Sequence, residues 1–280
     1  VACFAQPHLQ QHSVGVHGNV HSRTAVLITV GSLADGTAQP APENACQAVP
    51  ASQEIDLAET ISGGNCSLRS AFILANVQPR EIAVTIMVRS GRIFLSAPLP
   101  ALTGTVQVVG SIPRSLQPSA QEDVDNSSAL VGQDDPETSE DGDPFYPHGD
   151  GRSGPSSAIG TVLDGRSQFQ LLRTAVGSAV HLRTLRLENG YAMGEDAQSS
   201  AGGSIHSSGT LVLTNVAIRF SRALNGGGVY SDGPEFEVRQ SILTRCEAAR
   251  CGGCAYVALT GKAHFDASTL SFCHDQCGPQ

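Results

Sequence analysis

Apolar and polar residues alternate in several successive copies of one segment in the second half of the chain. Three copies begin with the tetrapeptides at residues 202–205, 226–229 and 252–255, each of which starts with Gly-Gly. Each copy then passes through one more glycine into a run of alternating apolar and polar residues, and a more divergent copy follows Gly177. The copies recur roughly every 24 to 32 residues, a repeat length typical of solenoid proteins.

This alternation, with no helical run between the copies, predicts short β-strands. The strands of a parallel β-helix stack about 4.8 Å apart, so that equivalent inward residues of successive repeats form columns. The predicted columns are Leu211, Phe236 and Ala263; Leu213, Val238 and Phe265; and Ile218, Leu243 and Leu270. We therefore predict an all-β fold, a parallel β-helix, with an antiparallel sandwich as the alternative.

The chain divides into three parts before the repeats, which occupy residues 159–280. Residues 1–60 hold an N-terminal segment and a first strand. Residues 61–113 hold a short capping helix that begins after Ser67 and buries Leu68, Phe72 and Ala75, followed by the first strands of the fold. Residues 114–158 are rich in acidic, serine, proline and glycine residues, which predicts a disordered insertion.

The charge of the chain is concentrated in this acidic insertion. The net charge at pH 7 is −9, and outside residues 114–158 the acidic and basic side chains nearly cancel. We therefore expect no nucleic-acid partner, because such a partner requires a basic surface. We also expect no membrane span in this chain, because no apolar run approaches about 20 residues.

Two motifs carry a family resemblance. The stretch Gly-Asn-Cys-Ser-Leu-Arg-Ser-Ala-Phe at residues 64–72, followed by Ala75-Asn76, resembles the CSLREA head module of bacterial surface β-helix proteins. The three Gly-Gly tetrapeptides are similar to the Gly-Gly-Ala-Ile repeats of polymorphic outer-membrane proteins, although Ala223 stands where those repeats have Asn. The head module has Glu in place of Ser70. The resemblance implies a right-handed, pectate-lyase-like β-helix in secretion or on a cell surface, and by itself no chemistry.

Eight cysteines indicate an oxidising compartment, in which disulfides persist. Aligning the last two repeats places two pairs of cysteines side by side, at a separation that a disulfide tolerates. A further pair would join the N-terminal loop to the capping helix. The predicted disulfides are Cys46–Cys66, Cys246–Cys273 and Cys251–Cys277, and Cys3 and Cys254 are left unassigned.

Two other states of the C-terminal thiols stay open. One is a zinc site, because the spacings Cys251-x2-Cys254 and Cys273-x3-Cys277, with His274 beside them, approach those of a zinc ribbon. The other is an unpaired ladder of thiols. We expect disulfides, no metal and no other cofactor, since the alignment of the repeats already accounts for most of these thiols.

Charged side chains gather at one predicted outward position. Period-2 alternation places Glu237 and Arg239 on the same outer face, and the next repeat places His264 beside Glu237 and Asp266 beside Arg239. Opposite charges on adjacent strands are an ordinary surface arrangement. The same groups could also serve a polysaccharide hydrolase or lyase. The four residues are our candidate surface patch, and we assign no catalytic residue.

These observations predict a non-catalytic secreted or cell-surface scaffold for adhesion or carbohydrate binding. The alternative is a polysaccharide lyase or glycosidase of the same fold, so we lean towards a protein that is not an enzyme. We expect an extracellular or cell-surface location, with carbohydrate or another cell-surface protein as the partner. No closing helix or polar repeat follows Phe272, so we expect end-to-end self-association there, or a longer parent protein.

Overall fold

The computed structural model describes residues 25–33, 48–50, 66–112, 159–196, 199–258 and 261–276. These residues form 22 β-strands and one helix, α1 (Leu68–Asn76). The strands are β1 Ala25–Val30, β2 Ala48–Pro50, β3 Ala83–Val88, β4 Gly91–Phe94, β5 Thr105–Gly110, β6 Thr161–Asp164, β7 Leu172–Thr174, β8 Ala179–Arg183, β9 Leu185–Glu188, β10 Tyr191–Ala192, β11 Ile205–Ser207, β12 Thr210–Thr214, β13 Ala217–Arg219, β14 Arg222–Ala223, β15 Val229–Ser231, β16 Glu235–Arg239, β17 Ile242–Thr244, β18 Glu247–Ala248, β19 Ala255–Val257, β20 Lys262–Asp266, β21 Thr269–Ser271 and β22 His274–Asp275. The predicted insertion at residues 114–158 lies outside the described residues.

The strands form four sheets in which every described pair except β1–β2 is parallel. Sheet A has the order β2-β1-β3-β5-β8-β12-β16-β20, and sheet B has the order β21-β17-β13-β9-β6-β4. Sheet C has the order β19-β15-β11-β7, and sheet D has the order β10-β14-β18-β22. From β7 onward, each group of four consecutive strands adds one strand to every sheet. The all-β class is confirmed, and this stacking of repeats is compatible with a parallel solenoid.

The predicted core columns have the predicted register. Leu211 pairs with Phe236, Leu213 with Val238 and Ile218 with Leu243, and all six side chains are fully buried. Burying each of them stabilises the fold by about 2 kcal/mol. In the last repeat Ala263 and Leu270 are exposed and Phe265 is half-buried, because β20 and β21 are the outermost strands of their sheets.

The two leading glycines of each repeat tetrapeptide have different tasks. Gly202 adopts a positive φ of 68°, and a Cβ there would overlap the carbonyl oxygen of Ile205. Gly203 has an ordinary φ, but a Cβ there would overlap the carbonyl oxygen of Gly227 in the next repeat. The first glycine therefore permits the turn, and the second permits two repeats to approach closely.

Helix α1 follows the prediction. Its N-cap is Ser67, whose hydroxyl accepts a hydrogen bond of 3.2 Å from the backbone N–H of Ser70. Its buried face consists of Leu68, Ala71, Phe72 and Ala75, and the helix contacts β1 and β3. Arg69 on this helix donates hydrogen bonds to the backbone carbonyls of Ala97 (2.8 Å) and Pro98 (2.7 Å).

Replacing Leu213 by Asp tests the register of the core. The substitution places a carboxylate among fully buried apolar side chains. We expect the free energy of unfolding to fall by more than about 3 kcal/mol, and we expect unfolding to lose its cooperativity. The matched control is Val212→Asp on the opposite face of the same strand, which should cost about 1 kcal/mol or less. Denaturant melts followed by circular dichroism measure both, and a Leu213→Asp variant with the wild-type melt would contradict the register.

Candidate functional site

A shallow groove crosses the outer face of sheet A. Its volume is about 260 Å³, and it extends over β3, β5, β8 and β12. The outward side chains along it are Ala83, Thr85, Thr105, Gln107, Ala179, His181, Thr210 and Val212. Most of them are small, which leaves a depression between the larger neighbours. This outer groove offers hydroxyl, amide and imidazole groups to a ligand without a carboxylate among them.

His181 lies in the outer groove on β8, one strand before the β12 end that is nearer to the charged residues. Its neighbours Val180 and Leu182 point into the core, so the imidazole points outward. Its Nε2 atom lies 2.9 Å from the hydroxyl of Thr214. Burial lowers the pKa of His181, and the positive charges of Arg183 and Arg239 lower this pKa further. The ring is therefore neutral at pH 7 and can donate one hydrogen bond and accept another.

The candidate surface patch lies on β16 and β20 with the predicted register. Glu237 pairs with His264, and Arg239 pairs with Asp266. The closest interaction is within β16, where Nε of Arg239 lies 2.7 Å from Oε1 of Glu237. This bond is the main reason that the pKa of Arg239 is raised. The carboxylate of Glu237 is thus already paired with the guanidinium of Arg239. The role of the patch in binding stays a prediction.

The outer groove and the patch form one continuous surface. The row Thr85, Gln107, His181, Val212, Glu237 and His264 crosses six adjacent strands in register. Five strand spacings correspond to about 24 Å. A ligand that follows this row is an extended chain rather than a compact molecule.

A second cluster of charged residues lies on sheet B. Asp164 and Glu188 are neighbours on β6 and β9, and both are buried. Arg92 on β4 joins them, with Nη1 2.5 Å from Asp164 and Nη2 2.8 Å from Glu188. Asn189 donates a hydrogen bond of 3.0 Å to Asp164, and the backbone N–H of Arg166 donates another of 2.8 Å.

The electrostatics of this cluster favour a structural role. Burial acts to raise the pKa of Asp164, but the hydrogen bonds from Asn189, Arg166 and Arg92 lower it below its ordinary value. Asp164 therefore stays ionised at neutral pH. A carboxylate that is held in this way by several donors is a poor proton donor or acceptor for catalysis.

The cysteine pairing differs from the prediction. The structure joins Cys254 to Cys273, with a Cα–Cα distance of 5.1 Å, and Cys246 is a free buried thiol. The predicted Cys246–Cys273 bond is therefore wrong. Stacked counterparts such as Cys246 and Cys273 have Cβ atoms that point the same way, whereas Cys254 faces Cys273 across the core of one repeat.

The same two core positions are filled differently in three successive repeats. Ser204 faces Ser221, and their hydroxyls are 2.6 Å apart. Gly228 faces Cys246, and a Cβ at Gly228 would lie 3.2 Å from the Cys246 sulfur. Cys254 and Cys273 are the third pair. The two facing residues are thus joined by a hydrogen bond in the first of these repeats and by a disulfide in the third. In the second repeat they are a glycine and a free thiol.

The zinc alternative is excluded for the thiols that the disulfide uses. Cys66 and Cys251 are also disulfide-bonded. The predicted partners Cys46 and Cys277 lie outside the described residues, as does Cys3. Within the described ranges no three His, Cys, Asp or Glu side chains gather where they could hold a metal ion. The same ranges contain no helix with the length and apolar character needed to cross a bilayer.

Sequence reasoning missed His181 and the Arg92 cluster. The sequence contains a signal for His181, because the apolar residues Val180 and Leu182 on either side of it indicate that it points outward. Arg92 and Asp164 are separated by 72 residues, and the acidic insertion between them hides the repeat that aligns them.

Comparison with known proteins adds no relative. No protein-family model matches the chain, and neither the curated proteins nor the solved structures contain a match. The candidate site therefore depends on its own geometry.

Arg92→Met tests the structural role of the sheet B cluster. The variant leaves two buried carboxylates without their shared guanidinium, and we expect the free energy of unfolding to fall by about 2 kcal/mol at pH 7. This value is smaller than that for a fully buried ion pair, because Arg92 is partly exposed. The loss should shrink as the pH falls towards 4, because Asp164 without the guanidinium that helps to lower its pKa then takes up a proton more readily. Thermal melts across this pH range measure the effect. Arg80→Met at an exposed site is the control, and equal losses in both variants at every pH would contradict the role.

The burial of the free thiol of Cys246 leads to a separate prediction. Burial raises the pKa of Cys246 from 9.0 to about 11. We expect no alkylation of Cys246 by iodoacetamide at pH 8 in the folded protein and full alkylation after unfolding. Because the folded state holds this proton more tightly, stability should fall as the pH rises from about 9 to about 11.

Cys246→Ser is the matched variant, because Ser221 occupies the equivalent position in the preceding repeat. It should lose this part of the pH dependence. Peptide mapping without reduction should recover the Cys254–Cys273 bond, and a native protein that is alkylated at Cys246 within minutes would contradict its burial.

Proposed function

We propose that this chain is a right-handed parallel β-helix, related to surface proteins with a CSLREA head module, that is secreted or displayed on a cell surface. We propose further that it acts as a non-catalytic scaffold for adhesion or carbohydrate binding, with the outer groove as the carbohydrate site. The stacking of its repeats and the disulfide Cys254–Cys273, which is typical of an oxidising compartment, support this proposal.

The mostly apolar outer groove contains five polar side chains, and this combination is the observation that carries the proposal. Thr85, Thr105 and Thr210 present hydroxyls, and Gln107 and His181 present groups that both donate and accept hydrogen bonds. Sugar hydroxyls require this mixture of donors and acceptors. The groove is shallow and continues into a row of about 24 Å, which suits an extended polymer.

The carboxylates of the described surface do not favour catalysis. A glycosidase needs two carboxyl groups on opposite sides of the scissile bond, one of them free to give a proton. Glu237 is bound to Arg239, and Asp164 and Glu188 share Arg92. These three acids are therefore held by arginines.

A polysaccharide lyase or glycosidase remains the alternative because of His181. Its lowered pKa keeps a neutral imidazole in the outer groove, and a neutral imidazole can accept a proton from a substrate. Incubation with every polymer that binds, followed by analysis for shortened products, separates the two functions. Products that disappear in a His181→Gln variant would establish the enzyme.

Binding to a glycan array tests the scaffold. Ala179→Tyr fills the groove with a neutral ring, and we expect it to weaken binding of the best neutral glycan at least tenfold. The control is Val176→Tyr, three residues earlier, where the side chain is 81% exposed outside the groove. It should leave binding within twofold of wild type. If the native protein binds no glycan, or if both variants bind as the wild type does, the outer groove is not the site.

A further inference from the structure

The last described repeat provides the outermost strand at one end of each of the four sheets. Among the described residues, these strands are β20 in sheet A, β21 in sheet B, β19 in sheet C and β22 in sheet D. Inward side chains that are covered one repeat earlier are open here, since Leu243 is 0% exposed and its counterpart Leu270 is 39% exposed. A strand edge with uncovered apolar side chains beside it is a surface to which another chain can add a strand.

The backbone groups of β20 alternate in direction, and this alternation decides which residues can pair across its outer edge. The N–H of Lys262 and the carbonyl of Asp266 bond, at 3.1 and 2.9 Å, to the residues that flank β16. Residues that lie two apart along a strand direct these groups the same way. Ala263 and Phe265 therefore direct their N–H and C=O groups away from β16 and towards the outer edge.

These two residues define a register in which β20 pairs with β20 of a second copy of the chain in the antiparallel direction. Ala263 then lies opposite the second copy's Phe265, and each such pair exchanges two backbone hydrogen bonds. Both side chains belong to the inner face, where Phe265 already packs against Phe236 with ring centroids 5.8 Å apart. A small side chain thus meets a large one on the face that needs covering.

The outward charges of β20 favour the same register. Lys262 lies opposite the second copy's Asp266, and the two-fold symmetry makes this pair twice. Within one chain, Lys262 pairs with Glu235, and Asp266 pairs with Arg239. The row across the interface therefore reads Glu235, Lys262, Asp266, Arg239, and the sign of the charge changes at every step. A shift by two residues in either direction carries Lys262 or Asp266 past the end of the second copy's strand.

The opposite end of sheet A does not offer a matching edge. Its outermost described strand is β2, which has three residues and includes Pro50, a residue without a backbone N–H. Helix α1 also packs beside β1 and β3 near this end. A pair that uses the β20 edge of both copies is closed, whereas a head-to-tail chain would need both ends.

We infer that the chain forms a two-fold symmetric dimer through antiparallel pairing of β20 with β20 of a second copy. The self-complementary order of Lys262, Ala263, Phe265 and Asp266 carries this inference. It gives the self-association expected from the sequence a surface and a symmetry. The pairing leaves the outer faces of both copies of sheet A on the same side, so the two outer grooves face the same way. The inference does not depend on carbohydrate binding.

Charge reversal in the whole chain tests this register. We expect the wild type to sediment as a dimer at about 100 µM. Lys262→Asp sets carboxylates opposite each other at both ends of the paired strands, and Asp266→Lys sets ammonium groups opposite each other. Each variant alone should dimerise at least tenfold more weakly than the wild type. An equimolar mixture of the two variants restores opposite charges at both ends, so it should form a heterodimer with a Kd within about threefold of wild type.

The mixture keeps the test independent of folding, because each variant has the same stability alone and in the mixture. Glu81→Lys is the control, since it reverses an exposed charge just before β3 and should leave the Kd within about twofold of wild type. Hydrogen exchange provides a second measurement. The amides of Ala263 and Phe265 should exchange more slowly as the concentration of the wild type rises.

Three results would overturn the inference. The first is a wild-type chain that stays monomeric up to about 1 mM, which leaves the edge to another partner. The second is growth into filaments beyond the dimer, which indicates head-to-tail contacts. The third is a mixture that dimerises as weakly as each variant alone, which places the contact elsewhere. The two proposals fail separately, because a chain that dimerises as expected but binds no glycan contradicts the outer groove alone.

Discussion

Each residue of a repeat lies about 4.8 Å from its counterpart in the next repeat, and this parallel stacking decides which side chains the molecule can use. Inward columns must be apolar, as in Leu213 above Val238, or must satisfy polar atoms within a repeat, as Ser204 and Ser221 do. Where backbones approach too closely for any side chain, only glycine fits, as at Gly203. One geometric condition thus explains the repeated Gly-Gly tetrapeptide, the core and the outward rows.

The sequence predicts those parts of the fold that depend on local alternation. The columns, the pairing of Glu237 with His264 and the helix after Ser67 follow from neighbours along the chain and from a constant repeat. The cysteine pairing does not follow, because Cys254 and Cys273 meet across the core from positions just before β19 and β22, which belong to different sheets. Ser204, Gly228 and Cys254 are the third residues of the three tetrapeptides. Aligning them with one another indicates a column that lies opposite the column of Ser221, Cys246 and Cys273.

Charged side chains and uncharged polar side chains lie in different regions of the surface. Arginines lie against the carboxylates of Asp164, Glu188 and Glu237, and Arg92 binds the first two. Pairing lowers the pKa of Asp164 and keeps it charged, which suits stability and not proton transfer. The outer groove, in contrast, has hydroxyl, amide and neutral imidazole groups.

The same stacking raises the affinity of a site whose individual contacts are weak. A single Thr or Gln contributes little affinity at an exposed position, but the stacked strands repeat such a contact every 4.8 Å or so along one direction. A polymer aligned with that direction meets several contacts at once, and the later ones form without a further loss of translational freedom. The outer groove runs along this direction. The carbohydrate site proposed there is therefore better suited to extended chains than to short oligosaccharides.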